Sequence, residues 1–317
     1  MSVIGIDTKV LSTSTADIAV AADILCGGGL VAFPTETVYG LGADATNGAA
    51  VARIFEAKCR PAFNPLIAHI TGIEAARALC DIPDAAERLA TAFWPGALTL
   101  VLQKRDGTGI SPLVTAGGSY LAVRAPDGNV AAALLQAVGC PVAAPSANLS
   151  GRISPTTADH VLAGLNGRID AVINGGICPV GIESTIVGFD GAPRLLRAGG
   201  LPVEAIEACL GARLERGPDS DAPVAPGQME SHYAPGAKVR LNATDALDDE
   251  FLIGFGDVKG DATLSKSGDL VEAAARLFDL LHQADATGRP VAIAPVPVTG
   301  LGLAINDRLK RAAAPRS

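Results

Sequence analysis

A chain of 317 residues, 49% hydrophobic and 18% charged, is long enough for two domains and has ample material for packed cores. Its net charge of −8 argues against a protein whose whole surface grips nucleic acid, although a local basic cleft is compatible with it. No apolar run reaches membrane-spanning length, and no basic then apolar leader opens the chain. The six scattered cysteines lack CxxC pairs and fit free thiols in a reducing cytosol.

Apolar residues at helical spacing predict a helix from Ala16 to Cys26, with Ser14 or Thr15 as its N-cap. Gly27-Gly28-Gly29 reads as its stop, because no GK[ST] follows to make a phosphate loop. Leu30 to Phe33 predicts a buried strand. Pro34 to Ala45 alternates threonines with Glu36 and an aromatic, then passes through Gly40 and Gly42. It reads as a polar turn with a glycine bend, or as backbone passing close to a ligand.

Asn47 to Ala57 predicts a helix, with Lys58 and Arg60 at or just past its end. A cation there complements the helix dipole. Two cations two residues apart, in a chain poor in charge, call for a further reason. Asn64 begins a turn into a strand that carries His69. Helices follow at Glu74–Leu79 and Asp84–Phe93, the second stopped by Trp94-Pro95-Gly96, and then strands at Ala97–Gln103 and Tyr120–Arg124. The latter delivers Arg124 at its C-terminal end, where α/β sheets place ligand groups.

After a helix from Asn129 to Val138, Pro141 to Ala144 predicts a buried strand and Ala158 to Leu165 a helix. Residues 145–157 between them are packed with hydroxyls and one amide. Ser154, Thr156 and Thr157 there offer oxygens to the free N–H groups of a helix start, which also suit a phosphate. Ala171–Asn174 predicts a strand. Glu183–Val187 and Arg194–Arg197 predict a strand pair ending in a basic group, and Pro202–Leu210 the last helix of the first domain.

Residues 211–237 lack periodicity and read as a linker containing Pro226-Gly227 and Ser231-His232-Tyr233-Ala234-Pro235. From Lys238 a smaller α/β pattern appears. Its strands are expected at Val239–Leu241, Phe251–Phe255 and Val291–Ala294, and its helices at Leu270–Asp285 and Ile305–Ala312. The fold class is therefore α/β, with domains 1–210 and 238–317 joined by 211–237.

FPTETVYGLGADA, KCRP with NPL, WPGALTL, LAVRAP, APSANLSGRISPTTADH, GIESTIV, LLRAGG and SHYAP occur in the order seen in threonylcarbamoyl-AMP synthases. Over nearly its whole length the chain resembles their two-domain form, a YrdC-type catalytic domain followed by a small C-terminal domain. The resemblance implies a twisted open mixed sheet flanked by helices and a second, smaller Rossmann-like α/β domain. It implies a cytoplasmic enzyme that makes L-threonylcarbamoyladenylate from L-threonine, bicarbonate and ATP and releases pyrophosphate. The product would pass to the machinery that forms N6-threonylcarbamoyladenosine in tRNA.

The same resemblance implies catalytic roles for Lys58, Arg60, Ser146 and Asn148. It implies ATP contacts at Lys58, Asn64, Tyr120, Ser146, Ser154, Arg197 and Tyr233. L-Threonine contacts carry over to Thr35, His69, Arg124, Ser184 and the backbone of Ala144. Mg²⁺ would be held mainly by the ATP phosphates. The chain departs from the family at Tyr120, where a Thr is usual, at Ala97 and Ala198, which replace prolines, at Asp127-Gly128, and in the linker at Gln228-Met229-Glu230-Ser231.

On this reading Lys58 and Arg60 meet the charge that builds on the α-phosphate and on the leaving pyrophosphate. Ser146 and Asn148 donate to phosphate oxygens without adding charge. Arg124 suits the threonine carboxylate as a bidentate partner. Tyr233 closes over the nucleotide, with Pro226-Gly227 as hinge, and excludes water. His69 and Glu36 are the candidates for a general base. A non-catalytic RNA-binding module and a carbamoyl transferase of related fold are the alternatives, and direct binding of tRNA is left open.

Overall fold

The computed structural model describes residues 6–61, 63–216, 232–247 and 249–315. The first part runs β1 (Lys9–Leu11), α1 (Thr15–Cys26), β2 (Val31–Phe33), β3 (Gly40–Asp44), α2 (Gly48–Lys58), β4 (Ile67–His69), α3 (Ile73–Leu79), α4 (Asp84–Phe93) and β5 (Leu98–Gln103). It continues through β6 (Tyr120–Arg124), α5 (Asn129–Val138), β7 (Val142–Ala143), α6 (Ala158–Leu165), β8 (Ala171–Ile173), β9 (Thr185–Gly188), β10 (Arg194–Arg197), α7 (Val203–Leu210) and β11 (Glu215–Arg216). The second part holds β12 (Val239–Arg240), β13 (Phe251–Gly254), β14 (Ala262–Thr263), α8 (Leu270–Ala286), β15 (Val291–Ile293) and α9 (Leu301–Ala313).

The first part forms one mixed sheet in the order β1-β8-β2-β3-β7-β4-β6-β5-β9-β10-β11, and the second a parallel sheet in the order β12-β15-β13-β14. Side chains alternate across the large sheet. Ala68, Leu121, Val123 and Val187 face a core shared with α2, α3, α4, α6 and α7. Ile67, Val101, Ala122 and Ile186 form a small apolar cluster on the other face. Period-2 spacing puts His69 beside Ile67, Tyr120 and Arg124 on either side of Ala122, and Ser184 beside Ile186. Strands β4 and β6 and the residue leading into β9 thus aim polar groups at one surface.

Two local departures from the expected pattern matter to that surface. Gly40–Asp44 is a strand, not a glycine bend, paired antiparallel with both β2 and β7. Gly42 allows this, because a Cβ there would lie 2.9 Å from the Phe33 ring and 3.0 Å from Val142. The pairing of β9 with β10 goes from Leu195↔Val187 to Arg197↔Ile186, so Leu196 is an extra, bulged residue. Val187 faces the helices and Ile186 the other side, so the bulge turns Arg197 away from the helices.

Capping follows the sequence where side chains reach. Ser14 accepts from the Asp17 amide at 3.2 Å, and Thr157 accepts from the His160 amide at 3.2 Å. Helix α9 starts four residues before the expected Ile305. Gly302 permits this early start, since a Cβ there would collide with the Pro297 carbonyl.

Helix α8 buries Ala273, Ala274, Leu277, Phe278, Leu280, Leu281 and Ala284, a helical stripe packed on the small sheet and α9. Val38, Ile153 and Ile182 of the first part join this same core. Full burial of an aliphatic side chain is worth about 1.5–3 kcal/mol, against about 0–1 for an exposed ion pair, so apolar contact dominates the docking of the two parts.

Candidate active site

The polar surface lies under the second part and encloses a narrow cavity of about 40 Å³. The turn between β2 and β3 contributes Thr35, Thr37, Val38 and Gly40, the turn after β7 contributes Ala144, Pro145 and Ser146, and the sheet contributes Ile67, His69, Arg124, Glu183, Ser184 and Arg197. Arg60 enters from the segment after α2, and His232 and Tyr233 cover the cavity. Of the expected site residues, Arg60, Ser146, Arg197, Tyr233, Thr35, His69, Arg124, Ala144 and Ser184 therefore share one cavity. Lys58, Asn64, Asn148 and Ser154 stand behind its wall. Tyr120 lines a separate cavity of about 370 Å³ with Pro65, Phe189 and Leu196.

Lys58 is 1% exposed, and its ammonium donates to the carbonyls of Ser146, at 2.5 Å, and Asn148. Burial, and then Arg60, push it well below the usual lysine range. The Ser-x-Asn pair thus supplies backbone acceptors to the lysine. The Asn148 amide donates to the carbonyls of Leu149 and Arg152 at 2.9 and 2.8 Å. It braces the turn and does not project as the expected phosphate donor. Arg60 donates to the carbonyls of Asn64 and Pro65 at 3.3 and 2.9 Å, which fixes its guanidinium at the cavity wall. Burial lowers it to about 10, still cationic at neutral pH.

Arg197 donates to the Ser184 carbonyl at 3.1 Å through Nε and at 2.9 Å through Nη2. The Ser184 hydroxyl also meets Thr99 Oγ1 at 2.7 Å. Arg124 Nε donates to the Gly96 carbonyl at 3.2 Å, and Nη2 faces Glu36 Oε2 at 2.6 Å. The expected two-pronged grip on a carboxylate is thus partly used within the protein, and Nη1 makes none of these bonds. Thr35 Oγ1 lies 2.8 Å from Thr37 Oγ1 and donates to the Val38 carbonyl at 2.8 Å, holding the turn closed.

His69 is buried, and its Nδ1 has no hydrogen-bond partner among the described residues. Burial and the neighbouring Arg124 push it down to about 3, so it is a weaker base than an ordinary imidazole. Glu36, the other candidate base, is bound to Arg124. Neither fits a strong general base, and the cavity is dominated by cations.

The far end of the linker is fixed on both sides. The His232 amide donates to the Arg311 carbonyl at 3.3 Å, and the Ala234 amide to the Gly151 carbonyl at 2.9 Å. Tyr233 takes φ 62° and packs on Phe278, with ring centroids 5.4 Å apart. The expected hinge, Pro226-Gly227, lies outside the described residues.

The residue reading missed Thr37, Glu183 and His232 in the wall, and Arg308 behind it. Glu183 and His232 sit inside the quoted strings GIESTIV and SHYAP, next to residues that were singled out. Arg308 gave no local signal, as one of several charged residues near the chain's end.

Burial shifts make a stability prediction. His69 and His232 are each pushed down to about 3, and His282 to about 4, with burial the first cause in all three. An unfolded chain protonates them near 6.5 while the folded state holds them neutral, so stability is lost as pH falls below 6.5. At pH 5 each costs roughly 2 kcal/mol. The thermal midpoint by calorimetry is expected to drop by roughly 10 °C or more between pH 7 and pH 5. A flat midpoint over that range would show that these histidines titrate normally in the fold.

Comparison with known proteins fits this geometry. Residues 23–199 match the Sua5–YciO–YrdC family model, described as telomere recombination. Residues 201–314 match the model described as threonylcarbamoyl-AMP synthase, C-terminal domain. A Bacillus subtilis threonylcarbamoyl-AMP synthase is 42% identical over 98% of this chain and 96% of its own length. That of Pyrococcus abyssi is 43% identical over 93% of each. The crystal structure of P. abyssi Sua5 complexed with L-threonine superposes with a TM-score of 0.90 at 39% identity, over 96% of this chain and 98% of that one. Escherichia coli YciO, at 22% identity and a TM-score of 0.56, shares the fold of the larger part. The chain belongs to the threonylcarbamoyl-AMP synthase family, in the form that carries both the Sua5–YciO–YrdC domain and the C-terminal domain.

Proposed function

We propose that this chain condenses L-threonine, bicarbonate and ATP into L-threonylcarbamoyladenylate and pyrophosphate, for N6-threonylcarbamoyladenosine formation in tRNA. One observation carries the reading. Arg124, with its Glu36 partner, lines the same cavity wall as Arg60 and Arg197, with Lys58 directly behind. A carboxylate-binding group thus stands next to a cation cluster suited to a polyphosphate. The P. abyssi relative complexed with L-threonine supports threonine as the amino acid.

In this reading the threonine carboxylate meets Arg124, with Thr35, His69, Ser184 and the Ala144 backbone around it. The amine adds to bicarbonate with loss of water, giving a carbamate. A carbamate oxygen attacks the α-phosphorus, the bond to the β-phosphate oxygen breaks, and pyrophosphate leaves with that electron pair. Lys58, Arg60 and Arg197 offset the charge that shifts onto the phosphates. The 370 Å³ cavity beside Tyr120, walled by Pro65, Phe189 and Leu196, is the place for the adenine base. Magnesium arrives on the ATP as part of the substrate. Among the described residues, Glu183 on the cavity wall and Glu36 beside Arg124 are each committed to an arginine.

The cavity is too narrow for a triphosphate with Tyr233 in place, so nucleotide entry needs the Tyr233 segment to lift and then reclose. Among the described residues no helix is long and apolar enough to cross a membrane. A cytoplasmic place of action goes with a product destined for tRNA.

The test is pyrophosphate release with each substrate omitted in turn. Release is expected to need ATP, threonine and bicarbonate together. Release indifferent to threonine would withdraw the threonine-side assignments. Tight, steeply salt-dependent tRNA binding without adenylate formation would favour a binding module instead.

A further inference from the structure

Arg308, on α9 of the second part, is 0% exposed although it is permanently charged. Its Nε donates to Glu183 Oε2 at 3.0 Å, and its Nη1 to the Ala198 carbonyl and to Asp307 Oδ2, the latter at 3.1 Å. Its guanidinium carbon lies 5.5 Å from the centre of the Tyr233 ring. Glu183, 6% exposed, lines the cavity, and its other oxygen accepts from the Ser154 hydroxyl at 2.5 Å. A side chain of the second part is therefore linked through one carboxylate to the polar wall of the first.

Glu183 is out of place in a polyphosphate site. An uncompensated carboxylate beside the phosphates, in a setting drier than bulk water, would repel them. Arg197 is nearby but donates to the Ser184 carbonyl. Among the described residues, the cation that forms an ion pair with Glu183 is Arg308, and Arg197 adds to its field. An ion pair kept this deep contributes little net stability, because desolvating both charges offsets most of their attraction. Apolar contacts already dock the two parts, so the pair needs another reason to exist.

We propose that Arg308 is a positioning residue for the nucleotide: by neutralising Glu183 it keeps the cavity attractive to phosphate and holds the carboxylate that fixes Ser154. The second part thereby completes the nucleotide site from outside, and the site carries its full positive charge only when α9 is docked. The proposal rests on the reading of the cavity as a phosphate site. The state of Glu183 agrees with it. Burial pushes the carboxyl up, and Arg308, Arg197 and the Ser154 hydroxyl together outweigh that and hold it below the usual range.

The test uses the full chain as wild type, Arg308→Met, Arg308→Lys and the pair Arg308→Met with Glu183→Gln. Wild-type release of pyrophosphate that needs ATP, threonine and bicarbonate is read first. If the wild type lacks it, the functional reading fails, whatever the variants do. Given an active wild type, Arg308→Met is expected to raise KM for ATP about thirtyfold or more. KM for threonine should stay within about threefold, because Arg124 is untouched. Arg308→Lys keeps the charge and should raise KM for ATP by about tenfold at most, losing only the fork geometry. The pair, with neither charge left, should return KM for ATP to within about tenfold of wild type, since the repelling carboxylate is gone.

Arg308→Met with an unaltered KM for ATP would overturn the proposal, as would equal rises for both substrates. Should Arg308→Met fail to fold, the pair decides alone. A folded pair whose KM for ATP stays raised by more than about thirtyfold shows that Arg308 acts otherwise than through Glu183.

Discussion

Lys58→Ala is expected to lower the rate of pyrophosphate release by about 10³-fold or more, through kcat more than through KM for threonine. The buried ammonium spans the end of α2 and the carbonyls of Ser146 and Asn148, beside the wall where charge is expected to build on the phosphates. A single preorganised donor in such a place is commonly worth about 10²–10³ in kcat, and here a full charge is lost as well. Lys58→Arg should not restore the rate, because two carbonyls set for a compact ammonium do not admit a planar fork. The depressed lysine adds a pH signature. An arriving polyanion favours the charged amine and raises its pKa, so binding takes up a proton between the free and bound values. Nucleotide affinity therefore weakens as pH rises through that window. Titration calorimetry in two buffers of different ionisation heat would measure the proton uptake. Lys58→Ala with near wild-type turnover, or zero uptake at every pH from about 6 to 10, would remove Lys58 from the phosphate site.

Arg124→Ala is expected to lower kcat/KM for threonine by about 10²–10³-fold while KM for ATP changes by no more than about threefold. Two losses combine. The threonine carboxylate loses its charged donor, and Glu36, 8% exposed, loses the partner 2.6 Å away. Adding Glu36→Gln separates them. It should recover the part of the loss that comes from the stranded carboxylate and leave the part that comes from threonine recognition. Initial rates over a threonine series at saturating ATP measure both. An Arg124→Ala enzyme with unaltered KM for threonine would move the amino-acid site elsewhere.

The elements that carry the chemistry were legible in the sequence where their signal is local. The Tyr120–Arg124 strand ends where expected, because alternation and its flanking loops are written in adjacent residues. The long stripe of α8 is equally plain. The Lys-x-Arg and Ser-x-Asn strings lie at one cavity or directly behind its wall, and most of the residues singled out line it. What escaped depends on distant partners. The two-residue strands β11 and β14, and β1 with its mostly exposed side chains, exist because a neighbour is there to pair with them. Asn148 looks like a donor in the string, yet its amide is used inside its own turn. Arg308 acts across 125 residues of sequence, on Glu183, and no local pattern encodes such a reach.

The extra residue in β10 separates two requirements that usually travel together. With Leu196 deleted, β10 could pair regularly with β9, the sheet would survive and Arg197 would keep its place opposite Ile186, but the 370 Å³ cavity beside Tyr120 would lose the Leu196 wall, because only the bulge sets two consecutive side chains on this face. Strand pairing alone would accept either length of this strand, whereas the cavity is shaped by one. Length variation here therefore bears on the shape of the site more than on the pairing of the sheet, with only the contacts of one half-buried leucine at stake for stability.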